Sequence, residues 1–298
     1  MERCALIVNP SKAGAEPLTA DFRSRCEAEG YEPLVLETTV EDPGGGMARE
    51  ALERGAGLVV VGGGDGTVRA AAGELAGSGV PLAVVPLGTG NLLCRNLGIP
   101  VDDPGTALDA AFGTATRDVD VAWARVDDGD ELAFAVMAGM GLDATIMANT
   151  NDDLKAKAGW FAYIVAAAQT IVGDSYLIKV YVDGKLKLQR RQRGVMIGNC
   201  GKIQGDVEVF PGATVDDGIL DVLAVAPSGV VGWFRVASSL LSRWRRHTPP
   251  DLGHYTGKAI HVAASRPHDI QIDGDHLGTG RTLAVRVDPR ALTVRIPA

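Results

Sequence analysis

The sequence predicts a mixed α/β protein in two domains. Residues 1–116 read as a doubly wound, Rossmann-like parallel-sheet domain, and 117–298 as an antiparallel β-sandwich with helical insertions. Three observations lead there. Short β-branched apolar runs alternate with helical segments through roughly the first 115 residues. Polar glycine turns follow three of those runs. Beyond them the pattern changes to closely spaced strands with little helix between.

The first half shows its strands as continuous apolar runs: "CALIVN" (4–9), "EPLVLET" (32–38), "GLVVVGG" (57–63) and "PLAVVP" (81–86). Runs without polar alternation suit a parallel sheet covered on both faces. Between them, "EPLTADFRSRCEAEG" repeats Leu18, Phe22 and Cys26 every four residues, one apolar stripe of a helix. "MAREALERG" and "TVRAAAGELAG" are alanine-rich and end in glycine. Ligands of such sheets bind beyond the carboxyl ends of the strands. The turns "NPSKAG", "GGGDGT" and "PLGTGN" should therefore gather on one edge.

In the second half, "YLIKVYVDGKLKLQ" alternates apolar and polar residues around Asp183-Gly184, a hairpin signal. "LAFAVMAG", "RGVMIGN", "GILDVLAVAP", "KAIHVAAS", "HDIQIDGD", "TLAVRVD" and "LTVRIP" read as further strands. Helical insertions are expected near 153–173 and 229–247. In the latter, Trp233, Val236, Leu240 and Trp244 recur at helical spacing, and Arg243, Arg245 and Arg246 follow. The plain reading is a core-packed helix; the sharper one is an interfacial helix at an anionic bilayer.

Composition narrows the function. The chain has 298 residues, 46% of them hydrophobic, and a net charge of −8. That balance argues against a nucleic-acid partner. Cys4, Cys26, Cys94 and Cys200 are scattered, without metal-site spacing, and fit reduced thiols in a cytosolic protein. No signal peptide and no transmembrane run is expected. The apolar stretch 159–173 reads as a packed helix. The five late histidines lack HExxH spacing, and no GxSxG elbow is present.

"VVVGGGDGT" (59–67) has the outline of an anion site, strand then glycine turn then helix start, yet Asp65 puts a negative charge inside it. One reading makes Asp65 the cap of the following helix. The others make it a Mg²⁺ ligand or a proton acceptor. "PLGTGN" adds backbone N–H groups, the Thr89 hydroxyl and the Asn91 amide. "IQIDGDHLG" places Asp273 and Asp275 one residue apart, where Asp-Gly favours a hairpin turn. "GATVDDGILDV" poses the same choice for Asp216 and Asp217.

Taken in order, "VNPSKAG", Thr38-Thr39, "GGGDGT", "PLGTGN", "DVDVA" (118–122), "GATVDDGILDV" and "IDGDHLG" resemble the bacterial diacylglycerol kinase-like lipid kinases, relatives of sphingosine kinases and NAD kinases. The resemblance implies ATP as phosphate donor, Mg²⁺ as metal and a lipid hydroxyl as acceptor. It places Asn9, Thr38, Thr39, Gly63, Gly64, Asp65, Gly66, Thr67, Gly88, Thr89 and Asn91 at the nucleotide. It makes Asp275 the proton acceptor, with Asp273 its rival. It puts Asp65 and Asp120 at the catalytic Mg²⁺, directly or through water, and Thr214, Asp217 and the Ile219 carbonyl at a structural Mg²⁺. Leu92 stands where the family often has Asp, Asp275 where it often has Glu, and Arg69-Ala70 where Asn-Glu is common. A cytoplasmic enzyme touching the membrane peripherally is the expected setting, with the lipid and the oligomeric state left open. Two rivals remain at this point: an NAD kinase-type enzyme, and a catalytically silent nucleotide- or lipid-binding regulator.

Overall fold

A computed structural model describes residues 1–141, 175–203, 207–227, 232 and 252–298. The expected helical insertions at 153–173 and 229–247 fall outside the described residues, apart from Gly232. Packing sorts the chain into two units. Unit 1 holds Met1–Val121, Ala133–Ala135 and Asp288–Ala298; unit 2 draws on Ala122–Leu132 and Val136–Val287.

Unit 1 is built on parallel strands β1 (Arg3–Val8), β2 (Glu32–Glu37), β3 (Ala56–Gly63) and β4 (Leu82–Pro86). β1 lies between β2 and β3, and β4 flanks β3, all parallel. Cys4–Ile7 and Val59–Val61 are fully buried, as continuous apolar strands must be when helices cover both faces. Helix α1 (Ala15–Glu29) buries Leu18, Phe22 and Cys26, the stripe expected from the sequence. It stops at Gly30, whose φ of +77° suits glycine and whose N–H caps Cys26 and Glu27. Helices α2 (Gly45–Glu53) and α3 (Asp65–Leu75) follow the alanine-rich segments.

Two helices escape the periodicity, α4 (Leu92–Leu97) and α5 (Pro104–Phe112). The first is too short to display a repeat. The second begins at Asp103-Pro104, where the Asp103 carboxylate accepts the Thr106 N–H. The chain's last segment also packs with unit 1. Val294 pairs in parallel with Leu82, Ile296 N–H donates to Ala115 C=O, and Gly77 N–H donates to Ala291 C=O. All four cysteines are buried thiols, and burial pushes the Cys94 thiol up to about 12.

Unit 2 is antiparallel. Its strands are β7 (Met137–Met140), β8 (Tyr176–Val182), β9 (Lys185–Gln192), β10 (Gly194–Gly198), β13 (Leu220–Val225), β14 (Leu252–Gly257), β15 (Ala259–Ile272) and the first part of β16 (Asp275–Arg295). Strands β5 (Thr116–Val126) and β6 (Glu131–Phe134) precede them, and β11 (Lys202–Ile203) and β12 (Val207–Glu208) form a separate short ladder. The ladder runs β14-β13-β10-β7-β15-β16. Besides β16, strand β15 pairs with two others: Ile260–Ala264 with β8, and Ile270–Ile272 with β7. Its register breaks between Ala263 and His268, where one strand can pass from one layer of a sandwich to the other. The predicted hairpin joins β8 to β9, with Asp183 at φ +48° and Gly184 at φ +74°.

A second left-handed aspartate, Asp127 (φ +48°), ties the turn after β5 to β16. Its carboxylate accepts the Arg281 N–H, the Thr282 N–H and the Thr282 hydroxyl. Those hydrogen bonds, the Thr282 N–H foremost, hold Asp127 below the ordinary carboxylate value of 3.8. A depressed folded-state pKa contributes stability above the unfolded value and loses it as pH falls through the folded one. Unfolding midpoints in urea should therefore drop below about pH 4, and Asp127→Asn, which keeps the left-handed turn, should flatten that acid limb. An unchanged acid limb in the variant would remove Asp127 as its source.

Candidate active site

The four parallel strands of unit 1 all end at the same edge, and the candidate nucleotide residues sit there. After β1, Asn9 donates its N–H to Gly62 C=O, and its side-chain Oδ1 accepts the Ser11 N–H and hydroxyl. After β2, Thr38 is buried and extends the β1 pairing through Val8 C=O, while the Thr39 hydroxyl accepts the Asp42 N–H. The end of β3 leads through Gly63–Thr67, and after β4 come Gly88–Asn91, with Leu87 N–H bonded to Gly63 C=O. Parallel pairing alone produces this gathering, as expected from the three glycine turns.

The two central turns meet backbone to backbone. A Cβ on Gly88 would stand 2.6 Å from the Gly64 Cα, and one on Gly90 would stand 2.4 Å from Asp65 Oδ2. A Cβ on Gly63 would stand 2.7 Å from the Thr67 Cβ, and Thr67 itself is buried. Gly66 lies in the first turn of α3, and Thr89 is exposed at the crest of the second glycine turn. Glycine is required at Gly88 by this close approach rather than by a positive φ.

Asp65 is the fastener between these turns. Its Oδ2 accepts the Asn91 N–H at 2.8 Å and its Oδ1 the Leu92 N–H at 2.6 Å. Asp65 is the first residue of α3, whose N-cap is Gly64. Its carboxylate satisfies N–H groups at the opening of α4, a helix far along the chain from its own. The negative charge faces two main-chain dipoles, which compensate it. Asn91 completes the turn: it is buried, has φ +48°, and its side-chain amide donates to Gly88 C=O. Arg95 Nε donates to Gly90 C=O from within α4. Sequence reasoning missed Leu92 and Arg95 as turn-holding residues. The one available signal was Gly98, the left-handed C-cap (φ +71°) that closes a short helix opened at Asn91.

Asp120 is nearly inaccessible and accepts the Arg290 N–H at 2.7 Å, where Arg290 has φ +51°. Its carboxylate thus secures the return of the C-terminal segment within unit 1. The remaining candidates belong to unit 2. Asp273 and Gly274, at φ +48° and +91°, form the tight turn between β15 and β16. Asp273 is buried, and its Oδ1 accepts the Val136 and Met137 N–H groups at 3.0 and 2.9 Å. Asp275 is exposed on the far side of the turn, paired with Ile272. The turn therefore gives the two carboxylates different surroundings.

Asp217 organises the loop before β13. Its Oδ2 accepts the Thr214 N–H and hydroxyl at 3.3 and 3.1 Å, and its Oδ1 accepts the Ile219 N–H at 2.9 Å. The donor set is all oxygen: one carboxylate, one hydroxyl and the Ile219 carbonyl. That chemistry fits a hard cation that keeps much of its water. Among the described residues, no group of three or more His, Cys, Asp or Glu side chains gathers as a metal site. A magnesium ion here would depend on few protein ligands, as is usual for that ion.

The fastening is directly testable. Asp65→Ala leaves the Asn91 and Leu92 N–H groups without their acceptor, at a cost of about 1–3 kcal/mol for each buried group. Urea unfolding should show a loss of at least that size, and a loss below about 0.5 kcal/mol, ordinary for a surface change, would overturn the clamp.

Comparison with known proteins agrees with the fold. The diacylglycerol kinase catalytic domain family matches residues 3–124, and the YegS C-terminal NAD kinase beta sandwich-like domain family matches 135–296. A Pseudomonas aeruginosa protein named "Probable lipid kinase YegS-like" is 31% identical over 304 residues, covering 100% of this chain and 95% of its own. A Pseudomonas putida protein of the same name is 32% identical, with 96% and 93% covered. Two solved chains from Bacillus anthracis str. Sterne share the fold at TM-scores of 0.76 and 0.70 and identities of 24% and 21%, each covering 99% of this chain and 97% of its own. The second of these is described as a diacylglycerol kinase. With both domain families matched in order and relatives above 30% identity along the full length, the chain belongs to the diacylglycerol kinase-like family of lipid kinases.

Proposed function

We propose that the protein is an ATP- and Mg²⁺-dependent lipid kinase that transfers the γ-phosphate to a hydroxyl of diacylglycerol or a related lipid. One observation carries the reading: the close approach of Gly64 and Gly88 at the carboxyl edge of the sheet. It leaves a floor of main chain without side chains, the surface a polyphosphate needs in order to reach backbone N–H groups. Asn9, Thr38, Thr39, Gly63–Thr67 and Gly88–Asn91 are the residues assigned to the nucleotide. Asp65 shapes that floor while its charge is compensated, so the glycines can receive an anion beside it.

The acceptor oxygen attacks the γ-phosphorus, the bond to the β–γ bridging oxygen breaks, and ADP leaves. The proton of the hydroxyl passes to a carboxylate, and Asp275 is the choice. Asp273 is the weaker candidate because its Oδ1 is committed to Val136 and Met137 inside the fold. Asp275 is exposed and near the point where β15 turns into β16. Magnesium, when bound, supplies charge neutralisation to the phosphate oxygens. Asp65 and Asp120 are assigned to its surroundings, and Thr214, Asp217 and the Ile219 carbonyl to a second, structural ion. Unit 2 takes the lipid, and the protein meets the membrane peripherally.

Purified protein incubated with labelled ATP, Mg²⁺ and a panel of lipids in mixed micelles tests the reading. Labelled phospholipid is the expected product. Phosphorylated NAD with untouched lipids would instead point to an NAD kinase-type activity, and ATP binding without any transfer to a silent regulator. Asp275→Asn should lower turnover by at least the 10²–10⁴-fold ascribed to general-base catalysis and leave ATP affinity within about twofold of wild type, because a lost base changes no ground-state contact. Unchanged turnover would take the base role from Asp275.

A further inference from the structure

A groove of about 370 Å³ opens in unit 1 beside the residues assigned to the nucleotide. Val8 and Pro10 line it from the end of β1 and the turn beyond, Ala15 from the start of α1, and Glu37 from the end of β2. Glu16 and Arg23 line it from α1. Asn9 and Thr38, both assigned to the nucleotide, directly follow Val8 and Glu37. The groove thus borders the carboxyl ends of β1 and β2, the side of such a sheet on which ligands bind.

Register fixes the place of Glu37. It is the last residue of β2 and pairs with Val8, the last residue of β1. Leu34 and Leu36 are buried on one face of β2, and alternation turns Glu37 to the other. Glu37 is exposed, and no hydrogen bond or ion pair among the described residues engages its carboxylate. Glu32, at the other end of the strand, is by contrast paired with Arg3 at 2.7 Å. A solvated glutamate is ordinary on a surface. One that closes the second strand of a β-α-β unit, over a groove, stands where doubly wound nucleotide-binding sheets place the acid that takes the ribose. Charge favours the same part of a nucleotide. Two carboxylates, Glu16 and Glu37, face one guanidinium, Arg23, which disfavours phosphate and suits a neutral group rich in hydroxyls. Glu16 has a role of its own, since an acid in the first turn of α1 complements the helix dipole. β1 separates β2 from β3. With strands about 4.8 Å apart, the end of β2 lies about 10 Å from the glycine floor that ends β3, the reach from a nucleotide's terminal phosphates to its sugar.

We propose that Glu37 takes the ribose hydroxyls of the nucleotide and makes the protein select a ribonucleotide as its phosphate donor. Both hydroxyls donate to the carboxylate, while Val8, Pro10 and Ala15 give the sugar and base an apolar wall. The inference rests on the reading of this edge as an ATP site, and its test reads binding rather than turnover. The full-length protein is titrated calorimetrically with ATP and with 2′,3′-dideoxy-ATP, each in the presence of Mg²⁺.

ATP should bind about tenfold more tightly than the dideoxy nucleotide, the worth of a hydrogen bond to a charged group. Glu37→Ala should lower the affinity for ATP to that of the dideoxy nucleotide and leave the dideoxy affinity unchanged, because that ligand does not engage the carboxylate. Glu37→Gln, which keeps the shape and one acceptor oxygen, should fall between. Equal affinity of the wild type for the two nucleotides overturns the proposal. So does discrimination that survives in Glu37→Ala, or that vanishes in Glu16→Ala instead. Tighter binding of adenosine 2′,5′-bisphosphate than of AMP would make Arg23 the recognising group and the groove an anion site, which overturns it too. ATP binding and lipid phosphorylation without discrimination remove this inference and leave the kinase reading standing. Discrimination without phosphorylation of any lipid does the reverse, and no binding of ATP removes both.

Discussion

Two main-chain N–H groups donated to the Asp65 carboxylate hold the candidate nucleotide site in shape. Parallel pairing brings the ends of β3 and β4 side by side, but it does not determine how the loops beyond them lie. The Asp65 clamp does. It draws the start of α4 onto the turn after β3, so that Gly88 must pass Gly64 at a distance only glycine allows. Asn91 and Arg95 then brace the second turn through Gly88 and Gly90. The acid that looked out of place in an anion loop is the reason the loop has a definite shape.

Aspartate does similar work across the molecule. Asp127, Asp183 and Asp273 all adopt φ +48°, a conformation Asp tolerates better than most residues, and each pins main-chain N–H groups on another strand. Asp120 does so from a strand, for Arg290. Each of the three turn carboxylates replaces water with two or three fixed donors, and so sets the register of segments far apart in sequence. This pattern also separates the aspartates in "IDGD". Asp273 is an anchor within unit 2, whereas Asp275 stands exposed beside the same turn.

A good part of the architecture was legible from pattern alone. The buried strands of unit 1, the stripe of α1 and the Asp183-Gly184 hairpin follow from short-range rules: apolar periodicity and the few residues that accept a left-handed turn. Family resemblance added the candidate residues in order along the chain. The helices α4 and α5 were not legible from periodicity, because six and nine residues give too little repeat to read. The packing of Asp288–Ala298 with unit 1 was not legible either, since "LTVRIP" reads as a strand wherever it pairs.

The sequence by itself determined the element types, the glycine turns at the strand ends and the family, because these depend on local chemistry and on residue order. Only the tertiary structure decided what each carboxylate touches. Asp65 reaches across 26 and 27 positions to Asn91 and Leu92, and Asp273 across 137 and 136 to Val136 and Met137. Such a bond exists only once folding has brought two distant backbones within hydrogen-bonding range, and no spacing rule encodes that distance.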